Sequence, residues 1–181
     1  MKGIVFTEYI EFVEETFSAD IADEMIDESD LLSEGAYTAI GTYNHEEILF
    51  LITTLSRMTE TPVSDLVQSF GKHLFSRLAS GHPEFLEGIA SSLDFMELIE
   101  SRIHVEVRKL YPDAELPCFE VERPTSDHLI LTYRSQRPFA DLAMGLIEGC
   151  ADHFGEQIEI SRHNLEPSEQ HTTRFDLIRV S

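Results

Sequence analysis

One histidine and, 29 residues further on, a short run of hydroxyls and guanidinium groups carry the chemistry this sequence offers. His104 stands inside the apolar stretch Ile103-His104-Val105-Glu106-Val107, and Tyr133-Arg134-Ser135-Gln136-Arg137 follows in an extended one. An imidazole on an apolar helix is a ligand for a metal, or a core residue whose nitrogens are satisfied. Tyr133, Ser135 and Arg137 fall at i, i+2 and i+4, so on a continuous strand they point to one side. There the planar fork of Arg137 matches a carboxylate at two points, which Lys cannot do. Leu129 and Leu131 extend the same face backward as an apolar wall. Each half alone has a plain structural explanation, but together they suit a flat, amphiphilic, dianionic ligand with a metal at its centre. Haem fits that description, since its iron takes an axial imidazole and its propionates need cationic and hydroxyl partners.

The elements that must hold these residues follow from apolar spacing. Residues 2–17 place Val5, Tyr9, Phe12 and Val13 on one side of a helix and Glu8, Glu11, Glu14 and Glu15 on the other. Ser18 caps a second helix through Ile21, Ala22, Met25 and Ile26. Asn44 with Glu47 forms a capping box for a helix over 45–58, and Thr61-Pro62 places a cap and a first-turn proline before the next. That helix carries Val63, Leu66, Val67, Phe70, Leu74 and Leu78 and ends at Gly81-His82-Pro83. A helix over 92–111 follows, with Met96, Ile99, Ile103, Val107 and Leu110 as one stripe and Phe95, Leu98 and Val105 apolar on the far side. At 100° per residue His104 borders its apolar face.

Near residue 112 the pattern changes from helical to alternating. Leu116-Pro117-Cys118-Phe119 opens an extended section, His128–Arg134 reads as a strand, and Pro138 starts a helix over 138–154. Gln157–Ser161 and Thr173–Val180 read as closing strands with a polar turn near Pro167. The expectation is one α+β domain over 1–181, helical over about 1–111 and sheet-containing over about 112–181.

Composition narrows the partners. Thirteen Lys and Arg against 34 Asp and Glu give a net charge of −21, and residues 1–60 alone hold fourteen acidic and two basic side chains. That field repels phosphate backbones and anionic lipid, so neither nucleic acid nor a membrane surface is expected as a partner. Without an apolar run of about 20 residues or a signal-like start, a cytoplasmic protein is expected. Cys118 and Cys150 form no C-x-x-C pair and read as structural thiols. Cys150, His153, His163 and His171 match no tight zinc spacing. His45, His73, His82 and His128 read as surface or capping residues.

Gly3, His104, Pro117, the Y-x-S-x-R run Tyr133 to Arg137, and Gly145-Leu146-Ile147-Glu148-Gly149 together closely resemble the haem nitric oxide/oxygen binding (H-NOX) family, related to the haem domain of soluble guanylate cyclase. The similarity runs along the whole chain. It implies a run of helices followed by a four-stranded antiparallel sheet crossed by a helix, with haem b (iron protoporphyrin IX) between them. It also implies His104 as the iron ligand, Tyr133, Ser135 and Arg137 as the propionate clamp, and Pro117 as the residue that bends the porphyrin. The position that bears a distal tyrosine in oxygen-binding relatives falls on Leu142. Leucine cannot donate a hydrogen bond to O2, whereas NO and CO need none, so the chain resembles the NO-selective branch, with Val5, Leu74, Leu142 and Leu146 in the distal pocket. Tyr9 is the departure, because a phenol near the pocket would supply the missing donor and allow O2 binding.

The resemblance further implies a stand-alone bacterial-type sensor, and not an enzyme, that signals to a separate histidine kinase or cyclic-di-GMP enzyme. A haem-dependent oxidoreductase is the rival. It needs a distal acid or base such as His or Arg, and the expected distal residues are aliphatic.

Overall fold

The two halves meet where helix touches helix with almost no side chain between them. The computed structural model describes residues 1–165 and 170–180. The helical half contains α1 (Gly3–Thr16), α2 (Ala19–Asp27), α3 (His45–Thr59) and α4 (Val63–Gly81). In the other half a four-stranded antiparallel sheet, ordered β1-β2-β4-β3, is built from β1 (Cys118–Thr125), β2 (His128–Ser135), β3 (Gln157–Asn164) and β4 (His171–Val180). Helix α7 (Ala140–Phe154) lies between the sheet and α4. The fold is therefore α+β, with the helical part first. The turn expected near Pro167 lies outside the described residues.

Local chemistry sets most element ends. The Ser18 hydroxyl accepts from the Ile21 N–H and the Asn44 side chain from the Glu46 N–H, each satisfying a donor that a helix start leaves free. Glu47 does not complete the capping box. It is buried, accepting from the Ser33 N–H, the Ser33 hydroxyl and the Tyr37 hydroxyl, and so ties the 29–38 segment to α3. Pro62 is the N-cap of α4 rather than its first residue, so the cap falls one residue later than expected, and α7 begins at Ala140 after Phe139 rather than at Pro138.

The helix expected over 92–111 is broken into three. Helix α5 (Ser92–Glu97) is followed by a π-helical turn (Ile99–Ile103) and then by α6 (His104–Leu110). In the wide turn the Ile103 N–H reaches back five residues to the Leu98 carbonyl, and the His104 N–H reaches the Ile99 carbonyl. One extra residue per turn re-aims everything after it, which is why Val105, expected to make an apolar contact, is exposed.

Two cores result. Phe6, Tyr9, Phe12, Met25, Leu51, Leu55 and Phe70 fill the helical half. Leu93, Met96, Leu129, Leu131, Phe175 and Leu177 fill the space between the sheet and its covering helices. Ion pairs from Arg123 on β1 to Asp94 (2.9 Å) and Glu97 (2.7 Å) fasten α5 to the sheet, while Glu156 receives both the Ser92 N–H and Arg179.

Glycines make the α4–α7 crossing possible. A Cβ on Gly145 would stand 2.0 Å from the Gln68 carbonyl oxygen, one on Gly71 2.6 Å from the Leu142 carbonyl oxygen, and one on Gly149 2.9 Å from the Lys72 carbonyl oxygen. At Gly145 the obstacle is backbone, so relief requires the helices to separate. The Gly145→Ala variant is expected to lose about 1–3 kcal/mol, the usual cost of overpacking, and to melt at least about 2 °C lower for a chain of this size. Thermal unfolding followed by circular dichroism measures it, and an unchanged midpoint contradicts the crossing described.

Candidate haem site

Between the two halves lies a cavity whose walls come from both. About 330 Å³ of it is open to the centre of a water molecule. Val5 from α1, Leu74 and Phe75 from α4, and Leu142, Ala143, Leu146 and Ile147 from α7 form one part of its lining. His104, Ile103 and Val107, with Leu116, Pro117 and Phe119, form another, and Tyr133, Ser135 and Arg137 complete it. All nine residues singled out from the sequence therefore line one cavity. Tyr9 does not. Its ring packs in the helical core against Phe12 and Phe70, and its buried hydroxyl has no hydrogen-bond partner among the described residues. Burial pushes its pKa up, so it stays a neutral phenol.

His104 is 9% exposed and is the first residue after the π turn. Its Nδ1 lies 3.0 Å from Glu100 Oε1. A carboxylate can only accept, so Nδ1 carries the proton and Nε2 keeps its lone pair. Burial pushes the His104 imidazolium pKa down, with Glu100 opposing that shift, and a neutral imidazole is the form that binds a metal. The Phe119 ring lies beside it, with centroids 6.0 Å apart, and packs edge-on against Tyr133 at 5.5 Å.

The clamp residues converge, though not by strand geometry. Strand β2 stops at Ser135, and the chain bends through Gln136 and Arg137. The Ser135 hydroxyl accepts from the Arg137 N–H at 3.1 Å, and the Tyr133 hydroxyl donates to the Arg137 carbonyl at 3.4 Å. Two hydroxyls thus shape the bend that turns the guanidinium toward the cavity, where it also meets the exposed carboxylate of Glu115. The Met1 amine donates to the Tyr43 carbonyl at 2.7 Å, and burial and nearby Arg137 lower its pKa.

Two residues escaped the sequence reading. His82, taken for a surface or capping residue, lines the cavity, stacked on Phe85 with Nδ1 3.1 Å from Glu84. Glu100 holds His104, and its spacing of four residues before that histidine was visible in the sequence. His73 is also less exposed than expected, and its buried Nε2 lacks a hydrogen-bond partner among the described residues. Among the described residues no three His, Cys, Asp or Glu side chains gather as a metal site.

The donor set fits haem: an imidazole with a free Nε2 for iron, a guanidinium and hydroxyls for two carboxylates, and aliphatic and aromatic walls for the ring. A family model described as Haem-NO-binding matches residues 2–162. The chain belongs to this family. H-NOX domains are haem-based gas sensors rather than enzymes, and NO and CO are gases the family binds. An H-NOX protein from K. algicida, solved as unliganded Fe(II), is 37% identical with a TM-score of 0.92, covering 100% of this chain and 97% of that one. The Shewanella woodyi H-NOX in the Fe(II)CO state is 42% identical with a TM-score of 0.84, covering 99% and 95%. The S. oneidensis H-NOX in the Fe(II)NO state is 25% identical with a TM-score of 0.91, covering 100% of both chains. No curated protein matches the chain.

Arg137→Ala is expected to speed haem loss to a scavenger globin by about 10- to 100-fold, the value of one shielded charge-assisted bond of about 1.5–3 kcal/mol. Arg137→Lys should recover only part of it, for want of the two-point fork. Haem loss at the wild-type rate in both variants removes Arg137 from the clamp.

Proposed function

We propose that residues 1–181 act as one sensor of nitric oxide that also binds CO, retains little or no O2, and reports to a separate protein. The observation that carries the gas preference is the wall around Leu142. Val5, Leu74, Leu142 and Leu146 all line the cavity and none can donate a hydrogen bond, while the one phenol nearby in sequence, Tyr9, is absent from the lining. NO and CO bind ferrous haem without a donor, and O2 is held by one.

In this reading His104 would ligate the iron of haem b, Tyr133, Ser135 and Arg137 would hold the propionates, and Pro117 would press on the ring. Ferrous haem held there would supply iron that binds NO or CO. The remaining work belongs to the chain. His104 leads α6, and Pro117 leads into β1, so a change in the pull on His104 shifts the helical half against the sheet. The shift carries a signal because a partner binds the two arrangements with different affinity. A histidine kinase or a cyclic-di-GMP enzyme with a basic docking face suits the charge of −21. The cytoplasm suits the two free thiols, Cys118 and Cys150.

Absorption spectra of the reduced protein without oxygen, after air and after NO test the reading directly. The expected result is a Soret band that NO shifts at once and that air leaves without a lasting O2 spectrum. A lasting O2 spectrum in wild type means that the Tyr9 hydroxyl or another donor reaches the gas, and overturns the selectivity. Leu142→Tyr should create such a spectrum by adding a donor, and His104→Gly should alter haem retention and the NO response. Indifference of both to His104→Gly displaces His104 as the ligand.

A further inference from the structure

We infer that Glu100 is a positioning residue for the metal-binding imidazole, its charge strengthening the hold of His104 on iron and its second hydrogen bond tying that imidazole to strand β1. The inference rests on the haem reading and adds to it the group that sets the strength of the ligand.

A single oxygen carries the arrangement. Glu100 Oε1 lies 3.0 Å from His104 Nδ1 and accepts from the Phe119 N–H at 2.9 Å. A carboxylate behind a ligating imidazole fixes the tautomer and ring orientation and makes the distal nitrogen a stronger donor to the metal. Among the described residues no Lys or Arg pairs with Glu100, so its charge is directed at these two donors. The backbone places it there. Glu100 sits in the π turn, which lies against β1, and β1 is an edge strand with donors to spare on its outer side. Phe119 in turn stands opposite Tyr133 in the β1–β2 register, and its ring touches those of both His104 and Tyr133. Imidazole, carboxylate, edge strand and clamp tyrosine thus form one contiguous series of contacts. A pull on His104 is transmitted to the sheet through Glu100 rather than absorbed in a loose side chain.

Glu100→Gln separates charge from shape, because the amide oxygen still accepts both hydrogen bonds, and Glu100→Ala removes both. Resonance Raman of the reduced, haem-loaded proteins reads the iron–histidine stretching frequency, and hydrogen exchange reads the Phe119 amide. The expected result is a lower frequency in both variants, haem affinity reduced by up to about 10- to 100-fold, and Phe119 exchange faster by up to about tenfold in Glu100→Ala only. A Glu100→Gln frequency equal to that of wild type overturns the charge role. Unchanged Phe119 exchange in Glu100→Ala overturns the tie to β1. A wild-type protein with no iron–histidine band overturns the haem reading itself, a result distinct from either.

Discussion

The near-contact of backbones where α4 crosses α7 is the constraint on which the rest depends. Gly71, Gly145 and Gly149 remove the side chains that would hold the two helices at an ordinary spacing. Helices usually pack 8–10 Å apart according to the side chains at the contact, and small residues bring them to the near end. Here the crossing joins the helical half to the helix that covers the sheet, so it fixes the distance between the two cores. Leu74 on one helix and Leu142 and Leu146 on the other leave that crossing to line the cavity. That part of the site is therefore a closely packed joint, and the walls around His104 and Pro117 come from segments outside it.

Much of this architecture was legible in the sequence, for reasons that differ by residue. Ser18 and Asn44 marked helix starts because short polar side chains solve the local problem of unpaired N–H groups, which no distant contact alters. Leu129, Leu131 and Tyr133 kept their alternation because one face of β2 is buried along its length. The π turn was hidden because periodicity assumes a constant number of residues per turn, and one residue too many leaves no mark in composition. Arg137 joined the cavity lining through a bend rather than along a strand, a geometry that the i, i+2, i+4 spacing does not describe. Glu47 left its expected cap for Ser33 and Tyr37, a choice made by tertiary contacts. Glu100 was within reach of sequence reasoning, since a carboxylate four residues before a histidine on a helix stands beside it.

Most of the cavity lining is aliphatic and aromatic, and its polar side chains are few: Lys2, His82, Glu115, Tyr111, His104 with Glu100 behind it, and the group Tyr133, Ser135 and Arg137. In such surroundings each remaining hydrogen bond is stronger than in water, and each missing one is costlier. Leu142 contributes no donor or acceptor side chain to that space. The buried Tyr9 hydroxyl, one helical turn beyond Val5, lies outside the cavity lining and has no hydrogen-bond partner among the described residues.

The π turn has a meaning for how this chain can vary. It uses five residues to cover what about four cover in an α-helix, so the extra residue is absorbed where it stands. If the same residues wound as an uninterrupted α-helix, α6 would be rotated by about 100° relative to α5 and His104 would face a different neighbour. A substitution that favours the regular helix over the wide turn would therefore redirect His104 with every cavity residue unchanged, whereas substitutions at Leu74, Leu142 or Leu146 alter the lining one side chain at a time. The winding of that segment is inherited information as much as residue identity is.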